Sequence, residues 1–162
     1  MRAEQMVEDF PVVRSDTDAL EAVRLIAQQR LPGLLVTDPA GRPVRILPAS
    51  QVARLLVPAY IQDDPALAGV LSEVTADRVA GTLRGKTVEQ VLPKAAGPMA
   101  TVNADDTIVE VAAVMSRERS PLVAVVSDGQ LLGVITASRL LEIALATRDE
   151  TDETELTWPS SP

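Results

Sequence analysis

The chain contains a copy of itself. Val12-Val13-Arg14-Ser15-Asp16-Thr17-Asp18-Ala19-Leu20-Glu21 aligns with Thr101-Val102-Asn103-Ala104-Asp105-Asp106-Thr107-Ile108-Val109-Glu110 at an offset of 89. Val13/Val102, Asp16/Asp105 and Glu21/Glu110 are identical, and without a gap Arg30 then meets Arg119 and Pro32 meets Pro121. After the next turn the offset becomes 88, so that Gly41 meets Gly129 and Ser50 meets Ser138. The lead-ins correspond as well, Glu4-Gln5-Met6-Val7 against Glu89-Gln90-Val91-Leu92. One small indel preserves the order of all structural signals, and such a duplication constrains the fold more than any single motif.

Each copy reads as β-α-β-β-α. A short apolar strand (Pro11–Arg14; Met99–Asn103) ends at an acidic cluster that starts a helix. Asp18 with Glu21, and Thr107 with Glu110, have capping-box spacing. Leu20, Val23, Ile26 and Ala27 form one helical stripe; Ile108, Val111, Ala112, Val114 and Met115 form its counterpart. Pro32 and Pro121 stop the helices. Leu34-Leu35-Val36 and Leu122-Val123-Ala124-Val125-Val126 are runs short enough for buried strands. Turns at Thr37–Gly41 and Ser127–Gly129 close hairpins onto third strands (Pro43–Leu47; Gln130–Ile135). Second helices follow, Ala49–Val57 and Ala137–Ala146. The expected organisation is a first repeat over 1–58, a helical inter-repeat segment over 59–86 (its helix Pro65–Leu83), a second repeat over 87–147, and a disordered acidic tail over 148–162.

Composition excludes whole classes of chemistry. With no Cys and no His, the 162 residues have no thiol nucleophile, His-based triad, His-held haem or Cys/His zinc site. The net charge is −8, but five carboxylates and no base lie in residues 149–162. The remainder is nearly balanced, at 18 acids against 15 bases, and has no basic run. With Phe10, Tyr60 and Trp158 the only aromatics, neither electrostatics nor stacking favours nucleic acid. Arg2, Glu4, Glu8 and Asp9 interrupt any apolar leader, and Ser127-Asp128-Gly129 breaks the least charged stretch, so no signal peptide or membrane insertion is expected. The location expected is cytoplasmic.

The second copy carries a family likeness. Ser120-Pro121-Leu122-Val123-Ala124-Val125-Val126, Asp128-Gly129 and Leu132-Gly133-Val134-Ile135-Thr136-Ala137-Ser138-Arg139-Leu140-Leu141 resemble a cystathionine-β-synthase (CBS) domain. The two copies together, over residues 3–147, resemble the tandem pair called a Bateman module. The first copy departs from the pattern, with Arg45 in place of Gly133 and Pro48 in place of Thr136. The resemblance implies an α/β (α+β) fold of two repeats packed sheet to sheet about a pseudo-twofold axis, with two clefts between them. It also implies a homodimer, and a regulatory role toward a separate effector protein, an enzyme or a transporter.

In relatives that bind adenosine compounds, the base sits among apolar residues of the first two strands. A Thr at the start of the last helix contacts phosphate, and an Asp three residues later holds the ribose. Here the resemblance points to Thr136, surrounded by Arg139, Ile135, Gly133, Pro121, Ser120 and Val102. A hydroxyl and amides at a helix N-terminus do favour phosphate. The Asp, however, is replaced by Arg139 in the second copy and by Gln51 in the first. Arg139 has five donors and no acceptor; it adds a phosphate contact or faces solvent, and Thr136 is either a cap or a cap and a ligand.

Other motifs yield to simpler readings. Gly85-Lys86-Thr87 lacks the Gly and the strand that a P-loop requires, and Thr87 with Gln90 has capping-box spacing. Asp63-Asp64 and Asp105-Asp106 precede helical segments, where acids complement the dipole, so no metal is expected. Ser50 and Ser138 lack a basic partner, Tyr60 reads as packing, and Met6, Met99 and Met115 read as core. The function expected is a non-catalytic sensor that takes AMP, ADP, ATP or another adenosine compound in the cleft at Thr136 and signals through a homodimer. The alternative is the same fold as a ligand-free interaction module.

Overall fold

The computed structural model describes residues 1–54, 75–92 and 99–154. The first repeat contains β1 (Val12–Arg14), α2 (Ala19–Gln29), β2 (Gly33–Thr37), β3 (Pro43–Pro48) and α3 (Ala49–Ala53). The second contains β4 (Thr101–Asn103), α6 (Ile108–Glu118), β5 (Leu122–Ser127), β6 (Gln130–Thr136) and α7 (Ala137–Thr154). Short lead-in helices precede each repeat, α1 (Ala3–Met6) and α5 (Val88–Val91), and α4 (Thr75–Leu83) lies between the repeats. Tyr60, Asp63-Asp64, Trp158 and the first half of the helix expected over 65–83 fall outside the described residues.

The two sheets are built alike. β1 runs parallel to β2 and β2 antiparallel to β3; β4, β5 and β6 repeat this order and these senses. A parallel pair needs a crossover, which α2 and α6 supply. The antiparallel pairs close through tight turns. Asp128 and Gly129 both have positive φ, 50° and 76°, the geometry that matches strand twist and that Asp-Gly tolerates. At the other hairpin, Asp38 accepts from the Ala40 and Arg42 amides, each at 2.9 Å.

Helix starts follow local chemistry. The Asp18 carboxylate caps α2 through the amides of Leu20 and Glu21, at 2.9 and 3.1 Å. The Thr107–Glu110 box closes in both directions, and Gln90 accepts from the Thr87 amide at 2.9 Å. Strand ends shift by one or two residues from expectation, and the last helix by more. α7 continues to Thr154, past the expected start of the disordered tail, because no Gly or Pro follows Ala137 until Pro159. The inter-repeat helix ends at Leu83, as expected. β2 takes in Gly33, where an added β-carbon would stand 2.8 Å from the Leu47 carbonyl oxygen.

The lead-in helices are exchanged. α1 docks on the second repeat, where the amides of Ala3 and Glu4 donate to the carbonyls of Asp106 and Ala104 at 2.8 and 3.0 Å. α5 docks on the first, where the amides of Val88 and Glu89 donate to Thr17 and Ser15 at 2.9 and 3.0 Å. Ala3 and Met6 are therefore buried in the core of the second repeat, with Val102, Val111, Val123, Val125 and Ile135. Val88 is buried in the core of the first, with Val13, Ala22, Leu34 and Val36. A third cluster joins the sheets: Leu35 meets Leu122, Ala124 and Val134, with Phe10 and Ile46 at its edge. Strand residues alternate between faces, so Leu34 and Val36 serve the helix side while Leu35 serves the sheet-to-sheet contact.

Candidate functional site

Two places between the repeats follow from this packing, one at the start of each repeat's last helix. Pro121 and Pro32 precede the middle strands, and their carbonyls accept from the first amides of α7 and α3, Ala137 at 2.9 Å and Ala49 at 3.0 Å. The residues before those amides differ: Thr136 at one end and Pro48 at the other. Proline has neither a hydroxyl nor an amide N–H to offer.

At the Thr136 end the polar groups are already engaged. Thr136 is buried and caps α7, its hydroxyl oxygen accepting from the Arg139 amide at 3.1 Å. That hydroxyl donates to the Glu8 carboxylate at 2.5 Å, and the Thr136 amide donates to the same oxygen at 3.1 Å. Glu8 arrives on the segment joining α1 to β1. Its amide donates to the Val134 carbonyl at 3.0 Å, and Val7 beside it covers Gly133. The Arg139 guanidinium turns along its own helix to Glu142, at 2.9 Å. This is a half-exposed i,i+3 pair of the sort that contributes little stability.

At the Pro48 end a groove of about 520 Å³ lies open between the repeats. Pro32, Pro48, Ser50 and Gln51 form its wall on the first repeat. Met115, Ser116, Arg119, Ser120 and Pro121 form the wall on the second. This volume lies within the roughly 300–1,000 Å³ range of small-molecule sites. Prolines and a thioether supply apolar surface; hydroxyls, an amide and one guanidinium supply polar contacts. Ser120 donates its hydroxyl to the Leu122 carbonyl at 2.6 Å, which leaves its oxygen as an acceptor.

Arg119 is the charged group of the groove. It caps α6 in the left-handed conformation, φ 49° and ψ 40°, and Arg30 does the same for α2 at φ 52° and ψ 44°. A β-carbon makes this conformation costly by roughly 1–2 kcal/mol, which is why glycine is usual there. Among the described residues its guanidinium has no hydrogen-bond or ion-pair partner.

The expected site residues therefore separate. Ser120 and Pro121 line the open groove; Thr136 and Gly133 lie under the Glu8 segment; Arg139 pairs with Glu142. Val102 and Ile135 lie in the apolar core beneath α6 and α7. Sequence reasoning missed Glu8 at Thr136 and the groove formed by Arg119, Met115, Pro32 and Pro48. The repeated Arg30/Arg119 pair was the available signal for the groove. Glu8 gave none, being 128 residues from its partner.

Comparisons with known proteins agree with the architecture. A family model of the CBS domain matches residues 3–58 and 88–146. The crystal structure of a CBS domain-containing protein of unknown function from Kribbella flavida DSM 17836 is 56% identical, covers 90% of this chain and 99% of that one, and superposes with a TM-score of 0.78. CBSX2 in complex with AMP is 18% identical, with 91% and 98% covered and a TM-score of 0.64. The CBS domain pair of protein MJ0100, in complex with 5′-methylthioadenosine and S-adenosyl-L-methionine, is 17% identical, with 91% and 98% covered and a TM-score of 0.62. The latter two show likeness of fold. No curated protein sequence matches the chain.

Proposed function

Because this chain belongs to the CBS domain family, as two such domains in one polypeptide, we propose that it is a non-catalytic regulatory module taking an adenosine-containing ligand in the groove beneath Pro48. The observation that carries this reading is the Arg119 guanidinium, without a partner among the described residues, at an open groove between the repeats. Arg119 meets the phosphate or carboxylate of the ligand, since a guanidinium forks onto such groups. Gln51 and the Ser50, Ser116 and Ser120 hydroxyls reach the sugar, and Met115 with the prolines packs against the base. The ligand class comes from the complexes of CBSX2 with AMP and of MJ0100 with 5′-methylthioadenosine and S-adenosyl-L-methionine.

The module acts as a homodimer read by a separate effector protein. α6 and α7 support this by leaving Val109, Leu141 and Leu145 more than 60% exposed on adjacent helices of the second repeat. Ligand shifts the assembly only by binding one geometry more tightly than another. Among the described residues no helix is long and apolar enough to cross a membrane, and the cytoplasm is the location that fits this reading.

A second reading, a ligand-free interaction module, draws on Glu8, which engages the Thr136 hydroxyl and amide. Thermal unfolding with AMP, ADP, ATP and S-adenosylmethionine separates the two. Ligand at about a hundred times its Kd adds about 2.7 kcal/mol and raises the midpoint by degrees. No shift with any compound favours the second reading.

A further inference from the structure

We propose that Glu8 closes the Thr136 end of the inter-repeat cleft with the chain's own carboxylate, so that each chain takes a single ligand, in the groove beneath Pro48. The inference rests on the ligand-binding reading and concerns the other end of the same cleft.

Three consecutive contacts hold the segment in place. Val7 packs on Gly133, the Glu8 amide bonds the Val134 carbonyl at 3.0 Å, and the Glu8 carboxylate takes both Thr136 donors. The charge lies where the first turn of α7 favours an anion, so the contact satisfies the helix as well as the threonine. An incoming phosphate therefore competes with a tethered group. Short tethers hold their group at an effective concentration of about millimolar or more, which a weak free ligand does not match.

The pairing of residues supports the assignment. At the opposite end Thr136 is replaced by Pro48, and the lead-in position matching Glu8 at an offset of 85 is Pro93. Carboxylate and hydroxyl are thus present together at one end and missing together from the sequence of the other. The duplication supplied two similar places, and this pair made them unequal.

The test is an amide-resolved NMR titration of the full ¹⁵N-labelled chain with AMP to millimolar concentration, on the wild type, Glu8→Gln and Glu8→Ala. Glu8→Gln keeps the shape and an acceptor while removing the charge, and spectral dispersion reports folding of both variants. In the wild type, the Thr136 and Arg139 amides stay fixed or follow the Ser116 and Arg119 amides at the groove's single affinity, because Thr136 pairs with Leu122 beside the groove. In Glu8→Ala they move and saturate, at least about tenfold below any wild-type response, and Glu8→Gln falls between. Saturation of the Thr136 amide in the wild type at an affinity of its own, apart from that of Ser116 and Arg119, overturns the proposal, and so does a Thr136 response in both folded variants no different from that of the wild type. The Ser116 and Arg119 amides report the groove separately. Their failure to move counts against the ligand-binding reading, while the Thr136 response still decides the role of Glu8.

Discussion

Gly133 faces Val7 so closely that a β-carbon at position 133 would stand 2.9 Å from the β-carbon of Val7. The glycine of the second repeat thus makes room for the lead-in of the first. Gly133→Ala is expected to lower unfolding free energy by about 1–3 kcal/mol, as overpacking does. Val7→Ala in the same chain recovers little, because the nearest atom remains; Val7→Gly relieves the contact itself. Urea unfolding midpoints of the single and double variants check this ordering.

Thr136 is held at both its hydroxyl and its amide by Glu8. Thr136→Val keeps the shape but removes the α7 cap and leaves a carboxylate short of one donor. The expected cost is about 1–3 kcal/mol, with Thr136→Ser recovering most of it. Chemical unfolding of the two variants, measured side by side, distinguishes the hydroxyl from the methyl group.

Arg119 tests whether a strained residue is kept for its side chain. Replacing it with glycine removes the steric cost of φ 49°, so Arg119→Gly is expected to leave stability unchanged or raise it by up to about 1 kcal/mol. Arg117→Gly, inside the same helix, is expected to lose about 1 kcal/mol. Ligand binding should move the opposite way, falling about ten- to a hundredfold in Arg119→Gly and staying unchanged in Arg117→Gly.

Much of the fold was legible because local chemistry and periodicity agreed. Asp18, Thr107 and Thr87 announced helix starts, Asp128-Gly129 announced a hairpin, and the duplication doubled each signal. The candidate site was less legible, for two physical reasons. Strands apolar on both faces do not reveal which parity meets which partner. Ile135 points into the helix-side core, while its neighbour Val134 meets the opposite sheet. And four-residue helices such as α1 and α5 have no periodicity that shows where they dock, so neither the exchange of lead-ins nor the arrival of Glu8 at Thr136 was visible in the order of residues.

Acid should weaken the start of α6. The Thr107 amide and hydroxyl, with Arg2 nearby, hold the Glu110 carboxyl below its ordinary value of 4.5. A carboxyl whose folded value is depressed stabilises the fold above its unfolded value, and that contribution is lost as pH falls through the folded one. Unfolding free energy should therefore drop more steeply below about pH 4.5 in the wild type than in Glu110→Gln. Urea titrations at stepped pH compare the slopes.

Leu141 and Leu145 lie one turn apart on α7, 62% and 64% exposed. Leu141→Glu should leave the unfolding free energy of the monomer within about 0.5 kcal/mol, as surface changes do, and shift the sedimenting species from dimer to monomer. A wild type that sediments as a monomer removes the basis for signalling through this face.

Regulation by a small ligand depends most on the groove between the repeats. Isothermal titration of the wild type and Arg119→Ala with AMP, followed by ADP, ATP and S-adenosylmethionine, addresses it directly. The expected result is one site per chain for at least one of these compounds, weakened about ten- to a hundredfold by Arg119→Ala. Absence of binding by all of them, or equal affinity in Arg119→Ala, contradicts the account.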